Sequence, residues 1–405
     1  MHDAAARGTG PLGAAAGGGA GRDDGDGARG LRAAVPGDGG RSLRPGVARL
    51  AGVLPTAGGQ DEAQGPLSGG WQRAPGPGRT NGDALGAHGS PGLVEGPRFD
   101  AKVPPGGYHW WYVDALSNDG RFGLTIIAFI GSVFSPYYKW ARRKGPAEPL
   151  NHAAVNVALY GASGHKWAMT ERGTSAVDRS RSDFQVGPSA LLWNGQSLEI
   201  RLDEMTFPIP GQIKGTIRLH PTSLNPDAFM LERAGGHLWR PIAPTARVEV
   251  ALEKPSVRWQ GDGYLDSNWG GVPLETSFVR WDWSRAPVGG GAAVLYEGVR
   301  RDGEPFALAQ HFNRDGRAEP FVPPPPQDLP KTRIWRIPRA TRADQPEGAS
   351  VTRTLEDTPF YARSELTTRL LGKTTQAVHE SLFLDRFATP IVQAMLPFRM
   401  PRRAS

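Results

Sequence analysis

The stretch Ala190–Leu202 reads ALLWNGQSLEIRL and indicates the fold class of the chain. Asn194-Gly195 lies between two apolar-rich runs, and Asn-Gly is the preferred dipeptide of a type I′ hairpin turn because both central residues need a positive φ. From Leu198 onward, apolar and charged residues alternate with the period of two that a half-buried strand requires. The stretch therefore predicts two antiparallel strands joined by a tight turn.

The same signals recur along the rest of the chain from Phe99. Asp302-Gly303 is another preferred hairpin dipeptide with an apolar run on each side. The apolar segment Phe122–Phe134 is interrupted by glycine, threonine and serine and is rich in β-branched and aromatic residues, so it predicts a buried strand. Further strands are predicted from alternation at Val248–Leu252 and Phe278–Trp283.

Helical patterns are sparse, and only Asp385–Met395 has one, which Pro390 interrupts. Many short strands with frequent turns predict an all-β protein, a sandwich or a barrel. About 300 ordered residues are too many for one small barrel. We therefore expect two tandem lipocalin-like β-barrels, at residues 98–246 and 247–402. The joint is placed near 240–257, where Pro241, Pro244 and Pro255 punctuate the chain.

Residues 1–97 differ in composition from the rest of the chain. They contain 27 of the 54 glycines but only Trp71 of the 12 tryptophans. A segment of this kind buries too little apolar surface to offset the entropy of ordering it. We predict that it is disordered and lies outside the folded domains.

Composition excludes several classes of function. The 405 residues include no cysteine, which excludes a disulfide framework and a thiolate metal site. The net charge of +7 comes mostly from scattered arginines, without a nucleic-acid-binding signature, so no nucleic-acid partner is expected. No apolar run is long enough for a transmembrane helix, and no signal peptide is apparent. We expect a cytoplasmic protein.

One basic and aromatic segment favours contact with a membrane surface. Arg142, Arg143 and Lys144 follow Tyr137, Tyr138 and Trp140 closely in sequence. Aromatic and cationic side chains anchor together at lipid interfaces. The alternative interpretation is a solvated surface loop. We expect a peripheral association with the inner, photosynthetic membrane.

The candidate catalytic residues lie in two short segments between residues 235 and 271. His237 and Trp239 are two positions apart, as are Tyr264 and Asp266, so on strands each pair shares a face. Burial among aromatic rings keeps a carboxyl group protonated, and aromatic faces stabilise a cation. These are the requirements for protonating an alkene. An ordinary turn with a capping aspartate, or simple wall packing, remains an alternative.

Four segments together resemble the bacterial carotenoid 1,2-hydratases, also called hydroxyneurosporene synthases. The resemblance covers about residues 97–402, whereas the glycine-rich N-terminus is outside the family pattern. The segments are YHWWYVD (108–114), GYLDSNWG (263–270), FVRWDW (278–283) and AVHESLFLDRF (377–387).

The resemblance implies hydration, without a cofactor or a metal, of the C1–C2 double bond at the ψ-end of an acyclic carotenoid. Neurosporene would give hydroxyneurosporene, and lycopene would give rhodopin. Its functional residues match His237, Trp239, Tyr264 and Asp266. Trp269, His379 and Glu380 match further positions of the family, and we expect them, with Trp110, to contact the substrate.

The expected mechanism begins with protonated Asp266, which gives its proton to C2. Trp239 and Tyr264 then face the cation at C1, with Trp269 as a third wall, and His237 orients Asp266 or the attacking water. A competing hypothesis is a non-catalytic carrier of apolar polyenes, because lipocalin-like barrels commonly hold one apolar ligand. An enzyme that isomerises the same cation by proton loss is a third. A carrier needs the apolar cavity but no acid.

Overall fold

The computed structural model describes residues 95–162, 164–232 and 236–403. These residues all belong to one unit of the chain, Ser68–Ser405. The predicted disordered segment, 1–97, lies outside the described residues except for Glu95–Pro97.

The first sheet contains thirteen strands among the described residues. They are β1 (Tyr108–Ser117), β2 (Phe122–Ile130), β3 (Ala153–Gly161), β4 (Lys166–Arg172), β5 (Val177–Arg179), β6 (Asp183–Val186), β7 (Ser189–Trp193), β8 (Leu198–Thr206), β9 (Gly211–Pro221), β10 (Phe229–Met230), β11 (His237–Lys254), β12 (Val257–Gly270) and β22 (Arg402–Arg403). Their order is β22-β4-β3-β2-β1-β12-β11-β9-β8-β7-β6-β5, with β10 paired to β11. The pairs are antiparallel apart from β22 and β4, which run parallel.

The second sheet is smaller, and a short hairpin accompanies it. The strands are β13 (Phe278–Val288), β14 (Gly291–Arg300), β15 (Pro305–Phe312), β16 (Ala318–Pro320), β17 (Pro326–Leu329), β18 (Arg339–Arg342), β19 (Ala349–Asp357), β20 (Tyr361–Leu370) and β21 (Lys373–Phe383). The order in the sheet is β16-β15-β14-β13-β21-β20-β19, and the hairpin pairs β17 with β18.

Helices are short and lie between strands or near the end of the described chain. They are α1 (Pro136–Arg142), α2 (Leu274–Ser277), α3 (Leu384–Ala388) and α4 (Pro390–Arg399), with 3-10 turns at Pro149–His152 and Thr174–Ala176. Pro390 is the first residue of α4, where its missing N–H leaves no intrahelical bond unmade. The interruption predicted at Pro390 is therefore the boundary between two helices.

The prediction of an all-β fold is confirmed, and local turn chemistry accounts for much of it. β7 and β8 form the predicted hairpin, with Gly195 at a φ of +94° that favours glycine. Asp302-Gly303 joins β14 to β15 as predicted, with Gly303 at a φ of +87°. The predicted buried strand in Phe122–Phe134 is β2.

The domain boundary predicted between 246 and 247 falls inside a single strand, β11. Both β11 and β12 belong to the first sheet, so the chain passes to the second sheet only after Gly270. Pro241 and Pro244 lie where the pairing of β11 with β12 shifts register, because proline cannot donate a ladder hydrogen bond. These prolines mark irregularities within a strand. In each sheet of the described residues, the first and last strands of the order are not paired with each other. Two tandem barrels therefore stay a prediction.

The two sheets contribute to one aromatic cluster. Tyr112 and Tyr264 from the first sheet share it with Trp281, Trp283 and Tyr296 from the second. Leu265 lies between Tyr264 and Asp266 on β12, and its side chain belongs to an aliphatic cluster on the other side of the first sheet. Strand alternation thus divides the side chains of β12 between two different cores. Among the residues that the structure describes, no helix is long and apolar enough to span a membrane.

Candidate active site

A cavity of about 290 Å³ is lined by strands of both sheets and by α4. Most of its wall is aromatic or aliphatic, and Asp266 and Glu380 bring carboxyl groups to it. The aromatic side chains in the wall are Trp110, Tyr112, Phe129, Phe134, Tyr160, Trp167, Trp281, Trp283, Tyr296, Trp335, Phe360 and Tyr361. An apolar cavity with a few convergent polar groups is the usual form of a small-molecule site.

The two carboxylate oxygens of Asp266 have different surroundings. Oδ2 accepts hydrogen bonds from Trp239 Nε1 at 2.8 Å and from the Tyr264 hydroxyl at 2.9 Å. Oδ1 is buried without a hydrogen-bond partner in the structure, and Asp266 lines the cavity. With Oδ2 already taken by two donors, Oδ1 is the atom that can carry a proton towards the cavity.

Burial raises the pKa of Asp266 to about 8, although the hydrogen bonds from Trp239 and Tyr264 oppose the rise. The negative charges of Glu380 and Asp114 add to the increase. Removal from water disfavours the charged form of a carboxyl group, and here that cost outweighs two hydrogen bonds that favour the anion. At neutral pH the side chain is therefore mainly a neutral acid.

Trp239 and Tyr264 both contact Asp266, as the sequence predicted, but they do so through the indole N–H and the hydroxyl group and not through their ring faces. Both are fully buried and neither is part of the cavity wall. β11 places Trp239 opposite Asn268 on β12, and Tyr264 precedes Asp266 by two positions on the same strand. Their positions fit two donors that orient the acid. The faces available to a cation belong to other rings.

His237 lies on the same face of β11 but does not reach Asp266. Its Nδ1 is 2.8 Å from the Tyr108 hydroxyl, and its Nε2 is 2.8 Å from Ser277 Oγ. Burial lowers the pKa of His237 to about 4, so the ring is neutral at pH 7. A Cβ on Gly270, its partner on β12, would lie 2.8 Å from His237 Nδ1, so the glycine is needed for this close packing. The ring is absent from the cavity wall, which corrects the expectation that it orients Asp266 or the water.

Two further expected contacts are corrected by strand alternation. Trp269 is three positions from Asp266 and lies on the opposite face of β12, where its ring centroid is 5.5 Å from that of His109. It therefore does not form a third wall. His379 faces away from the cavity, with Nε2 2.7 Å from the carbonyl oxygen of Ala340, while its neighbour Glu380 lines the cavity. Neighbours on a strand point to opposite faces, so only one of them can reach the site.

Glu380 and Trp110 both line the cavity, and their contact with the substrate stays a prediction. Glu380 is held by an ion pair with Arg363 and accepts a hydrogen bond from the Tyr112 hydroxyl at 2.7 Å. Arg363 is fully buried, and its Nη1 also donates to the Tyr112 hydroxyl at 2.5 Å. Behind it, Asp114 pairs with Arg285 at 2.6 Å. Arg363 thus provides a buried positive partner for an ionised Glu380.

The structure adds site residues that the sequence interpretation missed. Asn268 lines the cavity two positions from Asp266, and its Nδ2 is buried without a hydrogen-bond partner in the structure. Asn268 follows Asp266 by two positions, as Asp266 follows Tyr264, so the same strand alternation predicts that it shares their face. Glu356, from β19, is a further cavity carboxyl besides Asp266 and Glu380, and burial raises its pKa to about 7. Trp281 and Trp283 lie in the quoted segment FVRWDW, where alternation places both on one face.

The site offers donors and acceptors but no cluster suited to a metal ion. In residues 95–162, 164–232 and 236–403, no group of three or more His, Cys, Asp or Glu side chains is placed to hold one. The arrangement at hand includes a neutral carboxylic acid at Asp266, a further carboxyl with a raised pKa at Glu356, a carboxylate paired with Arg363 at Glu380, and an aromatic wall. These groups can protonate an apolar substrate and surround the cation that results.

Comparison with known proteins identifies the family. The family profile described as carotenoid hydratase CrtC matches residues 126–405. The acyclic carotenoid 1,2-hydratase of Thiocapsa roseopersicina is 52% identical over 372 residues, which are 92% of this chain and 92% of that protein. The acyclic carotenoid 1,2-hydratase of Rubrivivax gelatinosus is 51% identical over 383 residues, 93% of each chain.

These matches extend beyond the part of the chain that the structure describes. A match over 372 residues is longer than the 308 residues that follow position 97, so it enters the glycine-rich segment that was expected to lie outside the family pattern. Among solved structures, a putative AttH from Nitrosomonas europaea aligns with a TM-score of 0.47 and 15% identity, over 68% of this chain and 92% of that one. The sequence matches decide the assignment: the chain belongs to the carotenoid hydratase family.

Proposed function

We propose that this protein adds water across the C1–C2 double bond at the ψ-end of an acyclic carotenoid. The observation that carries the proposal is the neutral carboxyl of Asp266, which lines an aromatic cavity and has one oxygen, Oδ1, without a hydrogen-bond partner in the structure. Relatives half identical to this chain over most of its length are named acyclic carotenoid 1,2-hydratases. On this proposal the protein is a hydro-lyase of carotenoid biosynthesis that converts neurosporene to hydroxyneurosporene and lycopene to rhodopin.

The first step is proton transfer from Asp266 Oδ1 to C2. The π electrons of the double bond form the new C–H bond, and a tertiary cation remains at C1 beside the carboxylate. Trp239 Nε1 and the Tyr264 hydroxyl, both donating to Oδ2, stabilise the negative charge that develops on Asp266. Their donors are already in place before the reaction, so no reorganisation is needed at the moment of transfer.

Aromatic rings on the cavity wall would stabilise the cation. Trp281 and Trp283 come from the second sheet, while Trp110 and Tyr112 come from the first. A cation over an aromatic face gains about 0.5–2 kcal/mol in proteins. Rings on both sides of the substrate end would therefore lower the barrier to protonation. The wall carries the role that the sequence interpretation gave to Trp239 and Tyr264.

Water then attacks C1, and one of its protons goes to a carboxylate. A lone pair on the water oxygen forms the C–O bond, and the released proton restores Asp266. The buried Asn268 Nδ2, which has no partner in the structure, can donate to this water, and Asp266 Oδ1 is two residues away on the same strand. Glu380, kept close to Arg363, is a second acceptor on the opposite sheet. The sum is alkene plus water to alcohol, with no net electron transfer.

This chemistry calls on proton transfer and charge stabilisation alone, so we propose that turnover needs no added cofactor. We also propose that the protein acts in the cytoplasm against the inner membrane, because its substrate is dissolved in lipid. The cavity is small beside a long polyene, so it would take one end of the molecule. The rest of the polyene would remain outside.

The test is incubation of the purified protein with lycopene in detergent and H₂¹⁸O, without added cofactor. Pigments are separated by chromatography, and their masses are measured by mass spectrometry. The proposal expects a monohydroxylated carotenoid that carries ¹⁸O. Tight pigment binding without any product would support the carrier instead, and an isomerised alkene without oxygen would support proton loss from the same cation.

A further inference from the structure

Helix α4 has apolar residues on two faces, and the cavity is lined mainly by one of them. Val392, Leu396 and Met400, just beyond its end, line the cavity. The other face exposes Ile391, Ala394, Met395 and Phe398, which follow the i, i+3, i+4, i+7 spacing of one helical stripe. Of these four, Met395 also lines the cavity. Ile391 is 72% exposed and Phe398 is 79% exposed. A stripe of this kind on a surface helix is typical of an interaction site.

A second apolar projection lies in the loop 331–336, which reads KTRIWR. Ile334 is 73% exposed and Trp335 is 40% exposed. The loop is held in place, since the backbone amides of both residues donate to the carboxylate of Asp357. Arg386, on α3, donates to the carbonyl oxygen of Trp335 at 2.8 Å. The two apolar side chains are therefore presented to solvent by a loop with several fixed points.

The loop and the helix meet at the mouth of the cavity. Trp335 from the loop and Met395 from α4 both line the cavity and are at least 40% exposed, and from this we infer that the cavity opens between the loop and α4. Helix α3, whose Arg386 holds the loop, also packs against α4. Apolar exposure is thus concentrated where a long apolar molecule would enter or leave.

Basic side chains surround these apolar groups. The loop carries Lys331, Arg333 and Arg336, all exposed, and no acidic residue. Helix α1, which packs against α4, is followed directly by the exposed Arg143 and Lys144. The chain beyond α4 adds the exposed Arg403. Apolar side chains that enter a lipid interface, with cations around them at the level of the headgroups, are the two signals of interfacial binding.

We propose that the loop 331–336 and the outer face of α4 form a docking surface for an anionic lipid bilayer, which places the cavity mouth at the membrane. Only the reason for docking rests on the proposed function: an apolar polyene could pass from the lipid into the cavity without crossing water. The surface is centred on other elements than the segment that the sequence favoured and shares only Arg143 and Lys144 with it, because Arg142 itself is turned to Glu275 at 3.6 Å and to the ring of Tyr138.

The test is co-sedimentation of the full-length protein with vesicles. One set contains phosphatidylcholine alone, and the other contains phosphatidylcholine with phosphatidylglycerol. The test variant is Ile334→Asp with Ile391→Asp and Phe398→Asp, none of which lines the cavity. The control is Ile209→Asp with Val322→Asp, at positions that are 80% and 86% exposed elsewhere on the surface.

The wild type and the control are expected to sediment with the anionic vesicles and more weakly with the neutral ones. The triple variant should bind at least about 100-fold more weakly, because each lost apolar group of this size contributes roughly tenfold or more to partitioning. The proposal is overturned if the wild type binds neither kind of vesicle, or if the control variant loses as much binding as the triple variant does.

Two further readouts separate this surface from other occupants and from the proposed function. Size-exclusion chromatography would overturn the proposal if the wild type were a dimer that the triple variant converts to a monomer. Turnover of detergent-dispersed lycopene should be equal in the wild type and the triple variant. Vesicle binding without turnover would contradict the proposed function alone, while turnover without vesicle binding would contradict the docking surface alone.

Discussion

Asp266 shows how one carboxyl group can be both well oriented and protonated. Two hydrogen bonds to Oδ2 favour its anion, yet burial raises its pKa to about 8. The result is an acid whose proton is available at neutral pH and whose conjugate base is stabilised as soon as it forms. An acid works best when its pKa lies near the working pH, because it is then protonated without holding its proton too strongly.

The rate of hydration should therefore depend on pH through Asp266. Since the reactive form is protonated, kcat/KM should be steady at lower pH and fall as the pH rises through about 8. The measurement is turnover of lycopene between about pH 6 and about pH 10. Glu356→Gln is the matched control, because it removes the other cavity carboxyl with a raised pKa and should leave the decline in place. A rate that rises through this range would contradict the assignment.

The same raised pKa has a consequence for stability. The folded state holds the Asp266 proton up to about pH 8, whereas an unfolded aspartate releases it near 3.8. Between these values the wild type should lose about 1.4 kcal/mol of unfolding free energy per pH unit relative to Asp266→Asn. Urea unfolding of both proteins at several pH values measures the difference. Parallel stability curves would mean that Asp266 is ionised in the folded state.

At the scale of the element, β12 decides which side chains meet the substrate. Asp266 and Asn268 face the cavity, whereas Trp269 faces the other side of the sheet. β1 and β11 flank β12 and hold this register along most of its length. A slip of one residue would exchange the two faces completely.

The orientation of β12 predicts opposite outcomes for adjacent substitutions. Asn268→Leu removes the unpartnered amide that we assign to the attacking water, and hydration should fall by about 10²-fold while pigment still binds. Trp269→Phe changes a ring on the far face, and its turnover should stay within about twofold of the wild type. Turnover and pigment binding of both variants are compared. Loss of hydration in Trp269→Phe, with Asn268→Leu unaffected, would reverse the proposed facing.

Local signals in the sequence predicted what local interactions determine. The Asn194-Gly195 turn, the helix boundary at Pro390 and the spacing of Tyr264 with Asp266 all follow from short-range geometry. Alternation along β12 also predicts that Trp269 faces away from Asp266, although the family resemblance favoured a substrate contact for Trp269. The prolines of β11 were interpreted as a domain joint, because sequence alone does not distinguish a bulge from a linker.

Other parts of the site depend on contacts between distant segments. Arg363 and Tyr112 are 251 positions apart, and their hydrogen bond forms only when β20 and β1 are brought together by the two sheets. Neither residue has a local pattern that indicates a partner. Glu356 likewise becomes a cavity residue only through the position of β19 against the rest of the fold. Such pairings need the three-dimensional arrangement of strands.

At the scale of the whole molecule, a buried charge network ties the two sheets together. Arg363 and Arg285 come from the second sheet, and Tyr112 and Asp114 come from β1 in the first. Glu380 completes the network at the cavity wall. Since these groups are removed from water, each depends on its partners to remain charged.

Removing the central cation should therefore be costly. Arg363→Met leaves the charges of Glu380 and Asp114 without one partner, and we expect a loss of about 3–5 kcal/mol in unfolding free energy. The control is Arg247→Met, whose pair with Asp262 is at least half exposed and should contribute about 0–1 kcal/mol. Urea unfolding measures both. Equal, small losses would show that the network contributes little to holding the sheets together.

The most direct test of the central claim, that Asp266 donates the proton, is hydration by Asp266→Asn. The amide is nearly the same shape, and its oxygen can still accept from Trp239 and Tyr264, so the fold and pigment binding should be kept. We measure ¹⁸O incorporation into lycopene at neutral pH for the wild type, Asp266→Asn and Glu356→Gln. The account predicts product from the wild type and from Glu356→Gln and none above background from Asp266→Asn. Wild-type turnover by Asp266→Asn would contradict it.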